Sequence, residues 1–121
     1  MRFFSNATGI TKEELDQACS HFDIAIPEAL RTLIMEHNGA TWENNSGMVD
    51  SLISFSRNDA YNVFEIDFIP TGYLPFADDG MEGVFAVEKG SGRIVHFWSD
   101  ESTAEVAEDF SSFLSKIDVN H

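Results

Sequence analysis

The sequence predicts an α+β domain with two N-terminal helices, a central, mostly antiparallel sheet and a C-terminal helix packed on that sheet. Three observations predict this fold. Two amphipathic segments with capping signals lie in the first third of the chain, β-rich runs separated by turns occupy the middle, and a third amphipathic segment lies near the end. Because 121 residues is the ordinary size of one domain, we expect residues 1–121 to form a single domain with its core from about 10 to 117.

The first helix is predicted by a capping box in which Thr11 caps the helix and Glu14 occupies its third position. Ile10 and Leu15 are placed to form the hydrophobic staple that accompanies this motif. An apolar stripe at helical spacing follows, made of Leu15, Ala18, Cys19 and Phe22. The stripe places the Cys19 thiol in the core, where we expect it to be inert.

The second helix is predicted to begin at Pro27, since the first helical position tolerates a residue without an N–H group. Its inward side is expected to consist of Leu30, Leu33, Ile34 and His37. Asn38 and Gly39 predict the stop, with Gly39 in the left-handed conformation. The link between the two helices is short, so we expect them to pack as neighbours.

The middle of the chain predicts strands and turns. Residues 51–55 are expected to form a strand, while Ala60 to Phe68 fits either a strand or a short helix. Turns are expected at 69–72 and 78–80. Residues 83–87 and 93–98 predict a hairpin around the loop 88–92. Alternation along the second strand places Ile94, His96 and Trp98 on one face and Val95 and Phe97 on the other.

The last helix is predicted to begin with a second capping box, formed by Ser102 and Glu105. Its apolar side is expected to contain Val106, Phe110, Phe113, Leu114 and Ile117. This segment supplies the helix that covers the sheet in the predicted fold.

The charge balance is the strongest compositional signal. Seven Lys and Arg against 21 Asp and Glu leave a net charge of −14, whereas small soluble domains usually have a magnitude of about 2–8. Such a field repels nucleic acid and anionic membranes and attracts basic proteins. We therefore expect the protein to bind a basic protein partner and to bind neither nucleic acid nor a membrane. Eleven Phe and two Trp exclude disorder as the overall state.

The sequence also predicts a compartment. No apolar run approaches the roughly 18–20 residues that span a bilayer, and the first residues do not form a signal peptide. A single cysteine cannot form an internal disulfide, which fits a reducing environment. We expect a cytoplasmic protein.

The residues capable of chemistry predict no catalytic centre, no metal site and no cofactor. The histidines lack metal-ligand spacing and are expected at helix ends or on the surface; they are His21, His37, His96 and His121. The most metal-like segment, 78–82, lacks the spacing of a calcium loop. We favour a tight turn with Asx hydrogen bonds at this segment over a cation site.

Acidic residues provide the candidate partner-binding site. They gather at 78–82 and again at 100–109, and Trp42 beside Glu43 adds an aromatic side chain of the kind enriched in binding hot spots. A partly buried position for Trp42 is an equally good prediction. The candidates are Trp42, Glu43, Asp78, Asp79, Glu82, Asp100 and Glu101.

Several segments, in this order, match a known pattern: ITKEEL at 10–15, IPE at 26–28, HNG at 37–39, YLPFADDG at 73–80, IVHFW at 94–98 and VAEDFSSFL at 106–114. Together they resemble the SUKH superfamily of SMI/KNR-type cell-wall-assembly-regulator domains. The resemblance implies an α+β fold and a binding role without a conserved catalytic centre. It also favours a helix over 60–66, whereas residues 80–83 depart from the common pattern.

Bacterial members of that superfamily resemble immunity proteins that neutralise a cognate toxin, often a nuclease. The leading hypothesis is therefore a non-catalytic immunity protein whose acidic surface binds a basic, nuclease-type toxin domain. The alternative is a regulatory scaffold that binds a signalling or cell-wall-synthesis partner, as eukaryotic relatives do. The sequence leaves the oligomeric state open.

Overall fold

The structure, a computed structural model, describes residues 2–3, 9–43 and 47–117. The helices are α1 (Lys12–Phe22), α2 (Glu28–His37) and α3 (Phe110–Ile117), and a 3-10 helix spans Val63–Glu65. The strands are β1 (Arg2–Phe3), β2 (Trp42–Glu43), β3 (Ser51–Leu52), β4 (Tyr73–Asp78), β5 (Gly83–Glu88), β6 (Ile94–Trp98) and β7 (Thr103–Ala107). The predicted α+β arrangement of two N-terminal helices, an antiparallel sheet and a C-terminal helix is confirmed.

The main sheet is an antiparallel meander in the order β3-β4-β5-β6-β7, and β1 pairs with β2 in a separate two-stranded sheet. In a meander every second turn lies at the same end, so the β4–β5 and β6–β7 turns share one end and the β5–β6 turn lies at the other. The β3 edge is hydrogen-bonded to the chain around β2, because Leu52 N–H donates to the Ala40 carbonyl at 3.0 Å and Trp42 N–H donates to the Asp50 carbonyl at 2.9 Å.

The first two helices follow their predicted signals closely. The capping box is present, with Glu14 N–H donating to Thr11 Oγ1 at 3.1 Å and Thr11 N–H donating to Glu14 Oε1 at 3.0 Å. Helix α2 begins one residue after Pro27, and Gly39 behind it takes the left-handed conformation at φ 75°. An ion pair of 2.5 Å between Arg31 of α2 and Asp16 of α1 joins the helices, as expected of neighbours.

The core lies between the helices and the sheet, and Phe113 of α3 is near its centre. The Phe113 ring contacts Trp42, Phe76 and Phe85 at centroid distances of 6.5, 5.6 and 5.3 Å. The apolar stripes of α1 and α2 supply fully buried side chains, among them Leu15, Ala18, Leu30 and Ile34. Burying a Leu or Ile side chain stabilises the fold by about 1.5–3 kcal/mol, so these stripes hold the helices on the sheet.

Cys19 lies on the same stripe and is half-buried. Burial raises the pKa of its thiol, which keeps the sulfur protonated and unreactive at neutral pH. The predicted inert role of this cysteine agrees with that environment.

The predicted start of the last helix is wrong. Residues 103–107 form strand β7, which pairs with β6, and α3 begins only at Phe110. Ser102 instead closes the β6–β7 hairpin, since its carbonyl accepts the Trp98 N–H at 3.0 Å. The cap of α3 is Asp109, whose Oδ1 accepts the Ser112 N–H at 2.7 Å.

The middle of the chain also needs corrections. The strand expected at 51–55 is limited to β3, after which Ser54 makes only an isolated bridge to Asn62. Of the two elements expected between Ala60 and Phe68, a short helix is the one that forms, but it is only the 3-10 helix Val63–Glu65, capped by Asn62 Oδ1, which accepts the Phe64 N–H at 2.9 Å. Strand β4 was not predicted; it contains Pro75, which the sheet accommodates beside a bulge between Pro75 and Ala77. No helix in the part of the chain that the structure describes is long and apolar enough to cross a bilayer.

Candidate partner-binding site

Carboxylates from three segments meet at the end of the sheet that carries the β4–β5 and β6–β7 turns. The two turns are joined by a hydrogen bond of 3.1 Å from Ser99 N–H to the Glu82 carbonyl. The chain before β3 reaches the same place, since Asp50 N–H donates to the Asp78 carbonyl at 2.8 Å. The residues that meet there are Asp50, Asp78, Asp79, Glu82, Asp100 and Glu101, and we call these six the acidic end.

Asp79 holds the β4–β5 turn together. Its Oδ1 accepts N–H groups of Met81 at 2.8 Å and Gly83 at 3.0 Å, and its Oδ2 lies 3.0 Å from His96 Nε2. Burial alone would raise the pKa of Asp79, but the two N–H donors and His96 outweigh it and the pKa is lowered. Asp79 is thus ionised and directed into the protein, with 13% of its side chain exposed.

His96 is buried, which corrects the prediction of a surface or helix-end histidine. Its ring lies between Phe85 and Trp98, at centroid distances of 4.2 and 3.8 Å. Burial lowers the pKa of His96 even though Asp79 acts in the opposite direction. The imidazole is therefore neutral at pH 7 and donates its Nε2–H to Asp79, because a carboxylate can only accept.

The other predicted histidine positions fit in part. His21 and His37 lie in the last turns of α1 and α2, as expected, and His121 lies outside the described residues.

The pair formed by His96 and Asp79 depends on Gly83. A Cβ atom at Gly83 would lie 2.5 Å from His96 Nε2 and closer still to Asp79 Oδ2.

Asp78 is also engaged in the turn. Its Oδ1 accepts the Ser51 hydroxyl at 3.2 Å and the Gly80 N–H at 3.1 Å, and the Tyr61 side chain lies near it. Burial raises the pKa of Asp78 and, together with the Asp78 charge, that of Tyr61. The predicted tight turn with Asx hydrogen bonds is therefore present at 78–82.

The remaining members of the acidic end face solvent. Asp50, Glu82, Asp100 and Glu101 are all exposed. Between Gly80 and Glu82, the Met81 side chain is 89% exposed at the tip of the turn, and Tyr61 beside Asp78 is 48% exposed. Met and Tyr are enriched at protein interfaces, so an apolar tip ringed by carboxylates is a suitable contact surface for a basic protein.

Sequence reasoning missed Asp50, Tyr61 and Met81. A signal for Met81 was present, because a large apolar residue inside a turn cannot pack into a sheet. Asp50 reaches the site only through the pairing of β3 with β4, and Tyr61 only through the fold of the chain that brings it near Asp78. Those long-range contacts carry no local pattern.

Trp42 and Glu43 differ in placement although they are adjacent. Trp42 is 2% exposed, and its ring contacts Phe3 and Phe113 in the core. Of the two predictions for this side chain, burial is the one that the structure shows, so Trp42 does not lie on the surface. Glu43 is exposed and borders the acidic end, because the preceding Trp42 N–H bonds to the Asp50 carbonyl.

Two basic residues lie at the other end of the sheet. Lys89 and Arg93 belong to the β5–β6 turn, at the opposite end of the sheet, where Arg93 pairs with Glu88 at 2.9 Å and with Glu105 at 3.2 Å. Arg93, then Ser91 and Tyr73, lower the pKa of Glu88 to about 2. Among the side chains that the structure describes, which exclude that of Arg2, no Lys or Arg forms an ion pair with the acidic end.

The acidic end is not arranged as a metal centre. Among the residues described, no group of three or more His, Cys, Asp or Glu side chains is positioned to hold a metal ion. Asp78 and Asp79 use their oxygens for hydrogen bonds within the fold, and the exposed carboxylates are spread over two turns and the chain before β3. The arrangement suits ion pairs with several cationic side chains of another protein.

A comparison with known protein families matches residues 9–116 to the SMI1 / KNR4 family (SUKH-1). The chain therefore belongs to this family, and the resemblance in the sequence is confirmed. Members of the family are generally non-catalytic, immunity-type domains, which suggests protein partners such as toxins. A search of curated proteins finds no significant match.

Proposed function

We propose that this protein is a non-catalytic immunity protein that binds and neutralises a cognate bacterial toxin, a basic domain of the nuclease type, through its acidic end. Family membership supports the class of function. The observation that carries the proposal is the gathering of four exposed carboxylates on two hydrogen-bonded turns and the chain before β3, while Lys89 and Arg93 form their ion pairs at the opposite end of the sheet.

The physical basis is electrostatic complementarity. A toxin that cleaves nucleic acid needs a positively charged cleft. A domain with a net charge of −14 is attracted to such a cleft, and steered association can reach ~10⁸–10⁹ M⁻¹s⁻¹ at low salt. Inhibition follows from covering the cleft, without any bond being made or broken. The immunity protein would act in the cytoplasm, where an incoming nuclease meets its substrate.

The test uses the candidate toxin domain encoded beside the gene of this protein. Glu82→Lys with Glu101→Lys reverses two exposed charges of the acidic end, whereas Glu65→Lys with Asp67→Lys reverses two exposed charges near the 3-10 helix. Each pair changes the net charge from −14 to −10, since each reversal adds two. We expect the first pair to slow association by about tenfold or more and the second to have a much smaller effect.

Association rates measured at several NaCl concentrations complete the test. A steep decrease in rate with salt for the wild type, and a shallower one for the Glu82→Lys and Glu101→Lys variant, is the expected result. Equal effects of the two variant pairs, or binding that does not respond to salt, would refute the role of the acidic end. The regulatory scaffold is the alternative, and no feature of the described residues favours it.

A further inference from the structure

Strand β7 is an open edge of the main sheet. Within the described residues it pairs with β6 on one side only, whereas the β3 edge is hydrogen-bonded to the chain around β2. The first three residues of β7, Thr103, Ala104 and Glu105, are all exposed. An exposed edge strand presents a row of N–H and C=O groups that can pair with another chain.

The backbone groups that face outward can be identified from the hairpin. The Ser102 carbonyl accepts the Trp98 N–H, so Ser102 directs its carbonyl toward β6. Hydrogen-bonding direction alternates along an antiparallel strand, which turns the N–H and C=O groups of Thr103 and Glu105 away from β6. Further along, Lys116 Nζ donates to the Val106 carbonyl at 2.6 Å. The positions open for pairing are therefore Thr103 and Glu105.

A groove runs beside this edge, between β7 and α3. It has a volume of about 440 Å³ and is lined by Glu105, Val106, Ala107, Glu108, Ser112 and Lys116. A segment that paired with the edge would place alternate side chains over this groove, because side chains of a strand alternate between its two faces. The groove gives such a strand a surface to rest on in addition to its backbone hydrogen bonds.

The negative charge beside β7 favours pairing with a basic segment. Asp100 and Glu101 lie at the start of the edge, and Glu105, Glu108 and Asp109 lie along or just beyond it. The cations in this region are already engaged, Lys116 with the Val106 carbonyl and Arg93 with Glu88 and Glu105. Pairing with a second copy of this chain would bring acidic edges together, and like charges directly opposite each other are destabilising.

We propose that β7 accepts an extended segment of the partner rich in Lys and Arg, which adds to the sheet as a sixth strand. The inference rests on the proposed function for the identity of the partner, but not for the binding mode. Main-chain hydrogen bonds at Thr103 and Glu105 provide the pairing, and the flanking carboxylates select basic side chains.

The binding mode can be tested without the toxin. The probe is a synthetic peptide in which Lys alternates with Val, and its matched control is the same peptide methylated at every central backbone nitrogen. Both carry the same charge, but the control cannot donate hydrogen bonds to the edge. We expect the control to bind about tenfold more weakly or worse, and we expect amide NMR shifts from the unmethylated peptide to centre on Thr103 and Glu105.

Thr103→Pro provides a second variant, since proline removes the outward N–H and is tolerated on edge strands. Unchanged amide shifts in β5 would show that the variant is folded, and we expect it to bind the unmethylated peptide about tenfold more weakly. A wild-type Kd above about 1 mM, equal binding of the two peptides, or shifts confined to the acidic end would overturn the inference. If Thr103→Pro does not fold, the methylated peptide decides the matter alone.

Failure here is distinguishable from failure of the proposed function. If the peptide pairs with β7 but no neighbouring toxin binds, the strand addition stands and the immunity role falls. If a toxin complex forms and hydrogen exchange slows in the turns but not at the amides of Thr103 and Glu105, the immunity role stands and strand addition falls.

Discussion

At the scale of a single residue, the contact between Asp79 and His96 requires glycine at position 83, because glycine has no Cβ atom. A methyl group there would collide with both Asp79 and His96. We expect Gly83→Ala to destabilise the protein by about 1–3 kcal/mol, the usual cost of overpacking a buried site. Gly9→Ala is the matched control, because a Cβ at Gly9 meets no atom within 4 Å. Urea unfolding measures both, and an equal loss in the two variants would contradict the explanation.

Glu101 carries the second local prediction, because its backbone has a φ of 74° in the β6–β7 turn. This left-handed conformation costs a residue with a Cβ roughly 1–2 kcal/mol. Glu101→Gly relieves that cost and Glu101→Ala does not, although both remove the same carboxylate. We expect the Gly variant to be more stable than the Ala variant by about 1 kcal/mol in thermal unfolding. A Gly variant no more stable than the Ala variant would show that the turn is not strained.

The features that could be predicted from the sequence are those formed by residues close together in the chain. The Thr11 and Glu14 capping box and the Asx turn at 78–82 involve residues at most four apart, so their patterns are visible in the chain. The burial of His96 depends instead on Gly83 and Phe85, which lie on the neighbouring strand. Nothing local distinguishes such a histidine from one on the surface.

At the scale of elements, β7 shows why a strand was mistaken for the start of a helix. Ser102 and Glu105 have the spacing of a capping box. The first three residues of β7 are all exposed, so the strand lacks the alternation of buried and exposed side chains that would have predicted a strand instead. A bulge, which leaves Val106 without a partner between Glu105 and Ala107, removes the remaining periodicity. The correct signal was Asp109, which caps α3.

The burial of His96 makes the stability of the fold depend on pH. His96 has a lowered pKa in the folded protein, so its contribution is complete above about pH 6.5, its ordinary value. As the pH decreases below that value, the unfolded chain gains a proton that the folded protein resists, and the free energy of unfolding decreases. Asp79, whose pKa is also lowered, adds a second loss below about pH 4.

His96→Gln tests this dependence, since the amide can still donate to Asp79 but does not titrate. We expect the variant to be less stable at pH 8, because the ring contacts are lost, and to have a flatter dependence between pH 7 and pH 5. Urea unfolding across that range gives the slopes. The raised pKa of Asp78 acts in the opposite sense in both proteins, so the difference between the slopes isolates His96. Parallel slopes would show that His96 is not the titrating group.

At the scale of the whole molecule, charge is separated along the sheet. Ion pairs with Lys or Arg neutralise Asp16, Asp23, Glu88 and Glu105, and these pairs lie away from the acidic end. The composition predicted the size of the charge imbalance but not where in the fold the excess carboxylates gather. Which carboxylates meet is decided by the meander, because alternate turns share an end.

This imbalance predicts that salt stabilises the protein. Unpaired carboxylates repel one another in the folded state, and the repulsion is screened as the Debye length decreases from about 30 Å at 0.01 M to about 8 Å at 0.15 M salt. We expect the Tm to rise by about 2–5 °C over that range, which corresponds to roughly 0.5–1 kcal/mol for a domain of this size. NaCl and KCl should act alike, since screening depends on ionic strength rather than on a particular cation.

Glu82→Gln with Glu101→Gln should reduce this rise in Tm more than Glu65→Gln with Asp67→Gln does, because the first pair removes charge where carboxylates from three segments meet. A Tm that falls with salt would mean that the ion pairs of Arg31 and Arg93 outweigh the repulsion, and the acidic end would then carry no excess field with which to attract a basic partner.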